Sequence, residues 1–202
     1  MKLYCATGNP GKLLEFRLAA GSGWDLVPLT GIPPCAETGE TFEENAIQKA
    51  AYYSRHAPGR LFAEDSGLVV DALHGAPGVR SARFAGDAAS DADNNRLLIE
   101  KLRGEKNRTA RYVCVIALAD AAKPLGTFRG EVEGRIVDEP RGTNGFGYDP
   151  CFFYEPFQLT FAQAAPEQKL TVSHRGRALA AMLQWLRSGS ETAGDVISRR
   201  DV

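Results

Sequence analysis

The sequence predicts an α/β fold built on a mixed sheet. Apolar runs of strand length alternate with segments that carry apolar residues at helical spacing, the interleaving of an α/β domain. Within that alternation two long runs, 109–118 and 127–137, follow one another across a polar turn near Pro124, which makes them an antiparallel pair. A chain of 202 residues is long enough for one domain that buries roughly 70% of its unfolded surface without disulfide or metal staples.

The elements follow in order. Residues 1–6 form a short buried strand. Asn9 then offers an N-cap and Pro10 a first helical position, with Leu13, Leu14 and Leu18 as the apolar face and Gly21 as the stop. Residues 25–29 are a second strand, and 30–40 a loop rich in Gly, Pro and Thr. Thr41 to Glu44 fits a capping box, and Phe42, Ala46, Ala50 and Tyr53 give the helix after it an apolar stripe. A strand over 60–63 ends at Glu64-Asp65-Ser66-Gly67, and another covers 68–73. A long loop with Pro77, Gly78 and Gly86 leads to a helix capped at Ser90, with Leu97, Leu98, Lys101 and Leu102 along one side. After the antiparallel pair come the glycine-rich loop 142–147, a short strand over 151–154 and a last helix over 172–186. The domain is expected to span 1–187, followed by a loosely ordered polar tail over 188–202.

Composition removes several classes. A net charge of −1 argues against a nucleic-acid coat or an acidic-membrane binder. The longest apolar stretch, 112–119, is too short to span a bilayer, and the opening MKLYCATGNPGK lacks a secretory apolar run. The cysteines at 5, 35, 114 and 151 are far apart, and a reduced, cytoplasmic protein is expected. The three histidines are dispersed, so any metal is held by carboxylates.

Five segments carry chemistry. Thr7-Gly8-Asn9-Pro10-Gly11-Lys12 joins a strand to a helix start, where backbone N–H groups favour phosphate and Lys12 adds charge; a plain turn with a solvated lysine has the same pattern. It is not a Walker A loop, because Leu13 follows the lysine. Glu64 and Asp65 put two acids after an apolar run, where charge is costly. They point opposite ways on extended backbone and so do different jobs, such as holding Mg²⁺ or activating water; a polar turn is the plainer alternative. Glu37, Glu40, Glu43 and Glu44 cluster near the second helix, and the helix dipole accounts for Glu43 and Glu44 but not for Glu37. Glu37 with Asp65 would suffice for Mg²⁺, which takes few carboxylates and completes its shell with water and phosphate. In the 142–149 loop, Phe146 and Tyr148 offer faces for stacking, unless they are core aromatics. Ser173-His174-Arg175-Gly176-Arg177, with Lys169 before it, places cations where the dipole opposes them, so a negative partner or a solvated patch is expected. Together these segments describe a nucleoside triphosphate site.

TGNPGK, ETGETFEENAIQKA, EDSGL, PGVRSARFAG, GFGYDPCFF and SHRGRAL resemble, in order, the motifs of the inosine triphosphate pyrophosphatase family over about residues 1–187. The resemblance implies hydrolysis of (d)ITP and XTP to monophosphate and pyrophosphate. It also implies Mg²⁺ dependence, a homodimer, and an elongated twisted sheet whose helices form two lobes around a central cleft. By the same resemblance Asp65 is the proton acceptor and a metal ligand, Glu37 the other metal ligand, and Ser66 a substrate contact. Thr7 to Lys12 become the phosphate segment, Phe146, Gly147, Tyr148 and Asp149 the base segment, and Lys169, His174 and Arg175 further substrate contacts. Glu64 stands where aspartate is common, and Asn144 where glycine is frequent; neither removes a functional group. A nucleotide sensor without catalysis and a pyrophosphatase for modified pyrimidine nucleotides are the alternatives.

Overall fold

A computed structural model describes residues 1–189, so most of the expected tail lies outside the described residues. Among the described residues seven strands form one sheet in the order β2-β1-β3-β4-β5-β6-β7. Strands β1 (Lys2–Ala6), β2 (Asp25–Pro28) and β3 (Leu61–Val70) run parallel, because helices α1 (Pro10–Ala20) and α2 (Phe42–Tyr53) carry the chain back between them. The rest is antiparallel: β4 (Thr109–Asp120), β5 (Lys123–Ile136), β6 (Phe152–Tyr154) and β7 (Leu159–Thr160). Helices α3 (Asp91–Lys101), α4 (Pro166–Leu170) and α5 (His174–Arg187) complete the fold, which is the mixed α/β architecture expected.

Several boundaries differ from the sequence pattern. The charged segment 64–67 does not end a strand: β3 runs through it to Val70, because β4 pairs with it residue by residue from Leu61↔Ala119 to Val70↔Ala110. The parallel partner β1 does stop there, at Ala6↔Ala63, so Glu64 and Asp65 lie just beyond the end of the parallel pairing. Residues 71–73 are a 3-10 turn rather than strand. The β4–β5 hairpin turns at Ala121-Ala122, both at positive φ, and Pro124 lies inside β5 opposite Ala119. Leu14 and Leu18 are exposed, and α1 buries Phe16 and Ala20 instead. The two-residue β7 and the five-residue α4 are too short for periodicity to reveal.

Side chains alternate across β3 and β4. One face, with Phe62, Cys114, Ile116 and Leu118, packs under α1 and α5. Further along, Leu68, Val70 and Tyr112 pack with α3 and Phe152 and Phe161. The other face, with Leu61, Ala63, Val113, Val115 and Ala117, packs under α2. Gly130 on β5 lets the start of α5 lie against the sheet, since a Cβ there would overlap the His174 carbonyl oxygen. That close approach delivers His174 and Arg175 to the site.

Candidate active site

The phosphate segment is built by a cap. The Asn9 side chain accepts from the Lys12 N–H at 3.1 Å, and Pro10 takes the first helical position. No acid stands in the first turn of α1, so the positive end of its dipole is uncompensated beside Gly8, Asn9 and Pro10, which are all exposed. Thr7 Oγ1 accepts from Asn9 N at 3.3 Å and holds the turn. Lys12 points inward and donates to Glu64 at 2.6 Å. Its acidic partner therefore lies 52 residues away along the chain.

Glu64 and Asp65 take opposite faces of β3. Burial raises the Glu64 carboxyl, but Lys12, then Lys49 and Arg175, outweigh it and hold the group at about 2. Asp65, on the α2 face, stays above its ordinary value: burial dominates, and Lys49 offsets only part of it. Lys49 Nζ lies 2.9 Å from Asp65 Oδ1 and 3.2 Å from Glu37 Oε1, so two carboxylates converge on one ammonium. Burial alone would lower the Lys49 ammonium, but Glu64, Asp65 and Glu37 together raise it, so it stays charged. Asn45 ties the acidic loop to this point, bonding Gly39 N at 2.9 Å and Asp65 Oδ2 at 3.3 Å. Ser66 follows on the Glu64 face, opposite Cys114 and half-buried.

Glu37 and Asp65 supply hard oxygen donors already gathered around a cation, which suits Mg²⁺. Among the described residues no group of three His, Cys, Asp or Glu side chains could hold a metal. A pair is enough only if substrate phosphates and water complete the shell, the usual arrangement for Mg²⁺.

A third cluster lies on the Glu64 face. Lys169, from α4, donates to Asp149 at 2.5 Å and to Glu15 of α1 at 2.7 Å. Asp149 also accepts from the Phe146 N–H at 3.0 Å and from the Tyr112 hydroxyl at 3.3 Å. Burial nonetheless keeps its carboxyl above the ordinary value, against Lys169. Arg175 is buried, paired with Glu15 at 3.1 Å and in contact with His174. The expected compensation for these cations therefore exists, and they are no solvated patch. His174 stacks on Tyr112 with ring centroids 4.7 Å apart. Burial first, then Arg175, Lys169 and Lys12, push its pKa well down, so the imidazole is neutral. Arg175 Nε and Glu15 Oε2 face each other as an ion pair without hydrogen-bond geometry, and His174 Nδ1 is buried with no hydrogen-bond partner among the described residues. The unpartnered ring nitrogen beside this buried ion pair marks a place for a polar ligand.

The two expected stacking rings separate. Tyr148 is core: it is buried, and its hydroxyl donates to Ser81 O at 2.8 Å. Phe146 is half-buried, with Lys169 Nζ 5.3 Å and the Arg175 guanidinium 5.0 Å from its ring centroid. On α1 a Cβ at Gly11 would stand 2.7 Å from the ring, so the phosphate segment and the aromatic loop meet there. Gly147 is gripped by α3, and Asn144 donates to Ala164 O at 3.0 Å and fixes the loop's base.

Glu15, Asn45, Lys49 and Tyr112 belong to the site and were not candidates on sequence grounds. Glu15 and Lys49 fall within helices, where a charged residue reads as solvated surface. One signal was available: Lys49 falls in line with the buried Phe42, Ala46 and Ala50 face of its helix rather than opposite it.

Comparison with known proteins finds relatives over most of the chain. Residues 3–185 match the model of the Ham1 family. A dITP/XTP pyrophosphatase of an Exiguobacterium species is 49% identical over 183 residues, covering 89% of this chain and 93% of its own. The structure of the Staphylococcus aureus Ham1 protein superposes with a TM-score of 0.84 at 37% identity, covering 94% of this chain and 100% of that one. A nucleoside-triphosphatase / dITP/XTP pyrophosphatase of Mycobacterium abscessus gives 0.72 at 41% identity, covering 91% and 99%.

Proposed function

The chain belongs to the Ham1 family, and from that premise we propose that it hydrolyses non-standard purine nucleoside triphosphates, ITP, dITP and XTP, to the monophosphate and pyrophosphate. The observation that carries the reading is the way α1 joins two ends of one site. Lys12 reaches Glu64 at 2.6 Å, and Glu15 on the same helix reaches Lys169 at 2.7 Å beside Phe146. A triphosphate against the first and a purine against the second would span one short stretch of helix.

Asp65 accepts a proton from the attacking water, a task suited to a carboxyl held above its ordinary value. The water oxygen bonds to the α-phosphorus, and the bond from that phosphorus to the bridging oxygen breaks. Lys12 and the N-terminus of α1 take up the charge on the departing pyrophosphate. Mg²⁺, held by Glu37, Asp65 and phosphate oxygens, would neutralise phosphate charge and acidify bound water. Glu64 holds Lys12 in place. Lys49 holds Asp65 and Glu37 together until substrate arrives.

Base choice follows from donors. Arg175 and Lys169 can only donate. A 6-oxo purine offers them an acceptor, whereas adenine offers an amine and leaves buried donors unpaired. Such mismatches allow discrimination of about 10⁴-fold. Phe146 stacks on either ring and does not choose. The reading extends to a homodimer working on the cytoplasmic pool, checked by light scattering and by fractionation.

The test is pyrophosphate release across ITP, XTP, GTP, ATP and dUTP, with and without Mg²⁺. ITP and XTP are expected to be turned over far faster than ATP, and only with Mg²⁺. Equal rates on ITP and ATP would overturn the purine reading. Preference for dUTP would favour a pyrimidine enzyme, and binding without turnover a sensor.

A further inference from the structure

Helix α3 lies outside the catalytic residues, yet it holds the loop that carries Phe146. We infer that Asp91 and Asn95, one turn apart on α3, are positioning residues that set the aromatic loop and thereby the purine selectivity. This deepens the proposed function and rests on it.

Gly147 sits between Phe146 and Tyr148 at φ +63°, a conformation glycine adopts without strain. Asp91 Oδ2 accepts from its N–H at 2.6 Å, and Asn95 Nδ2 donates to its carbonyl at 2.8 Å. Both peptides flanking Gly147 are thus tied to one helix. One of them is the peptide that leaves Phe146.

Packing does not hold Gly147. A Cβ there would meet nothing within 4 Å. Behind the loop, a cavity of about 750 Å³ runs between it and Asn95 and Ile99 of α3, with Arg103 just past the helix end. A glycine-rich loop beside open space keeps its conformation through hydrogen bonds, so these two side chains decide where the Phe146 ring points. That ring lies against Gly11 and beside Lys169 and Arg175. A small swing would misplace the purine against its donors.

The dipole of α3 favours an acid at Asp91 in its first turn, but nothing in the helix calls for Asn95 or for the bond Asp91 makes to Gly147. The N-terminal box of the helix is made by Ser90 and Asp93, not Asp91. Asn95 is a poor helix former in mid-helix, buried, with its Oδ1 unpartnered among the described residues, and its evident bond is to Gly147. The adjacent Asn94 is differently employed: it fixes the loop before α3 through Ala85 N and Ala82 O.

The experiment compares wild type with Asn95→Ala, Asp91→Ala and Asp91→Asn. Asp91 is exposed, so its variants fold even if Asn95→Ala does not. Amide hydrogen exchange is followed over 142–149 in the free protein, with 42–53 as internal reference. Both alanine variants are expected to exchange the loop about tenfold faster, as the loss of one hydrogen bond implies. Asp91→Asn, which keeps an acceptor, restores most of the protection. With substrates, KM for ITP should rise more than kcat falls, and the ITP/ATP ratio of kcat/KM should drop several-fold. Unchanged loop exchange in the alanine variants overturns the clamp. Faster exchange with an unmoved ITP/ATP ratio overturns the selectivity role. Should wild type leave ITP intact, the proposed function fails while the exchange arm still decides the clamp.

Discussion

Glu64 and Asp65 are adjacent, acidic and buried, yet their surroundings push them in opposite directions. Glu64 faces Lys12 under α1, with Lys49 and Arg175 also in range, and is held at about 2. Asp65 faces Lys49 under α2, shares that ammonium with Glu37, and stays above its ordinary value. Environment, not residue type, separates a carboxyl held firmly ionised from one held nearer its protonated form. The pleat of β3 makes the separation possible, because neighbouring side chains enter different layers. One strand thus meets Lys12 on one side and Lys49 with Glu37 on the other.

The largest way to break the comparison is Asp65→Asn. Loss of a general base costs about 10²–10⁴-fold in kcat, and loss of a metal donor adds to it. The fold is expected to survive, since Lys49 keeps Glu37 as a partner. Retention of more than about a tenth of wild-type kcat would remove Asp65 from the proton-accepting role.

Lys12→Ala attacks the other face. It should depress pyrophosphate release and also destabilise the protein by about 3 kcal/mol, because Glu64 loses its nearest cation while buried. Sequence alone suggests otherwise: a lysine with no nearby acid reads as a surface residue worth within about 0.5 kcal/mol. Adding Glu64→Gln to Lys12→Ala should recover stability without recovering activity. A double variant as unstable as the single one would show that the pair is not what supports this face.

The comparison sharpens with pH. The Glu64 pKa is about 2 folded against an ordinary 4.5. Its stabilisation, on the order of 3 kcal/mol, is therefore full above about pH 4.5 and fades as pH falls toward 2. Asp65 is raised, so the folded state binds its proton more readily, and falling pH relieves a cost. Urea midpoints against pH are the measurement. The stability gap between wild type and Glu64→Gln should shrink on acidification, while that between wild type and Asp65→Asn moves the opposite way. Parallel slopes would mean the two carboxylates share one environment.

What could be read beforehand follows the range of the interactions. Caps are local, so Asn9, Thr41 and Ser90 were legible as helix starts. Strand alternation made Glu64 and Asp65 separable. The face of α1 was not, because Leu13, Leu14, Phe16 and Leu18 surround the helix and leave its burial to tertiary packing. Glu15 was invisible as a site residue for the same reason: its partner Lys169 lies 154 residues later, on a helix of one turn. Tyr148 read like Phe146 until the core claimed it, since composition cannot say which of two aromatics on one loop turns inward.

Glu37→Gln should have the smallest effect on the fold and the most selective effect on function. Its side chain is 31% exposed, with the carboxylate bonded to Lys49 at 3.2 Å and at the edge of reach of Arg83 at 3.8 Å. An ion pair so placed contributes at most about 1 kcal/mol. Lys49 also keeps Asp65 at 2.9 Å. Thermal stability should therefore barely move, in contrast to Lys12→Ala. If Glu37 is one of two carboxylates that complete a Mg²⁺ shell with phosphate, its loss weakens the ion rather than the proton transfer. The Mg²⁺ concentration for half-maximal rate should rise by roughly tenfold, about 1.4 kcal/mol of binding, while kcat at saturating Mg²⁺ falls far less than in Asp65→Asn. A titration with an unshifted midpoint would leave Glu37 as a partner of Lys49 only, and the pair on this face would reduce to Asp65 and its ammonium.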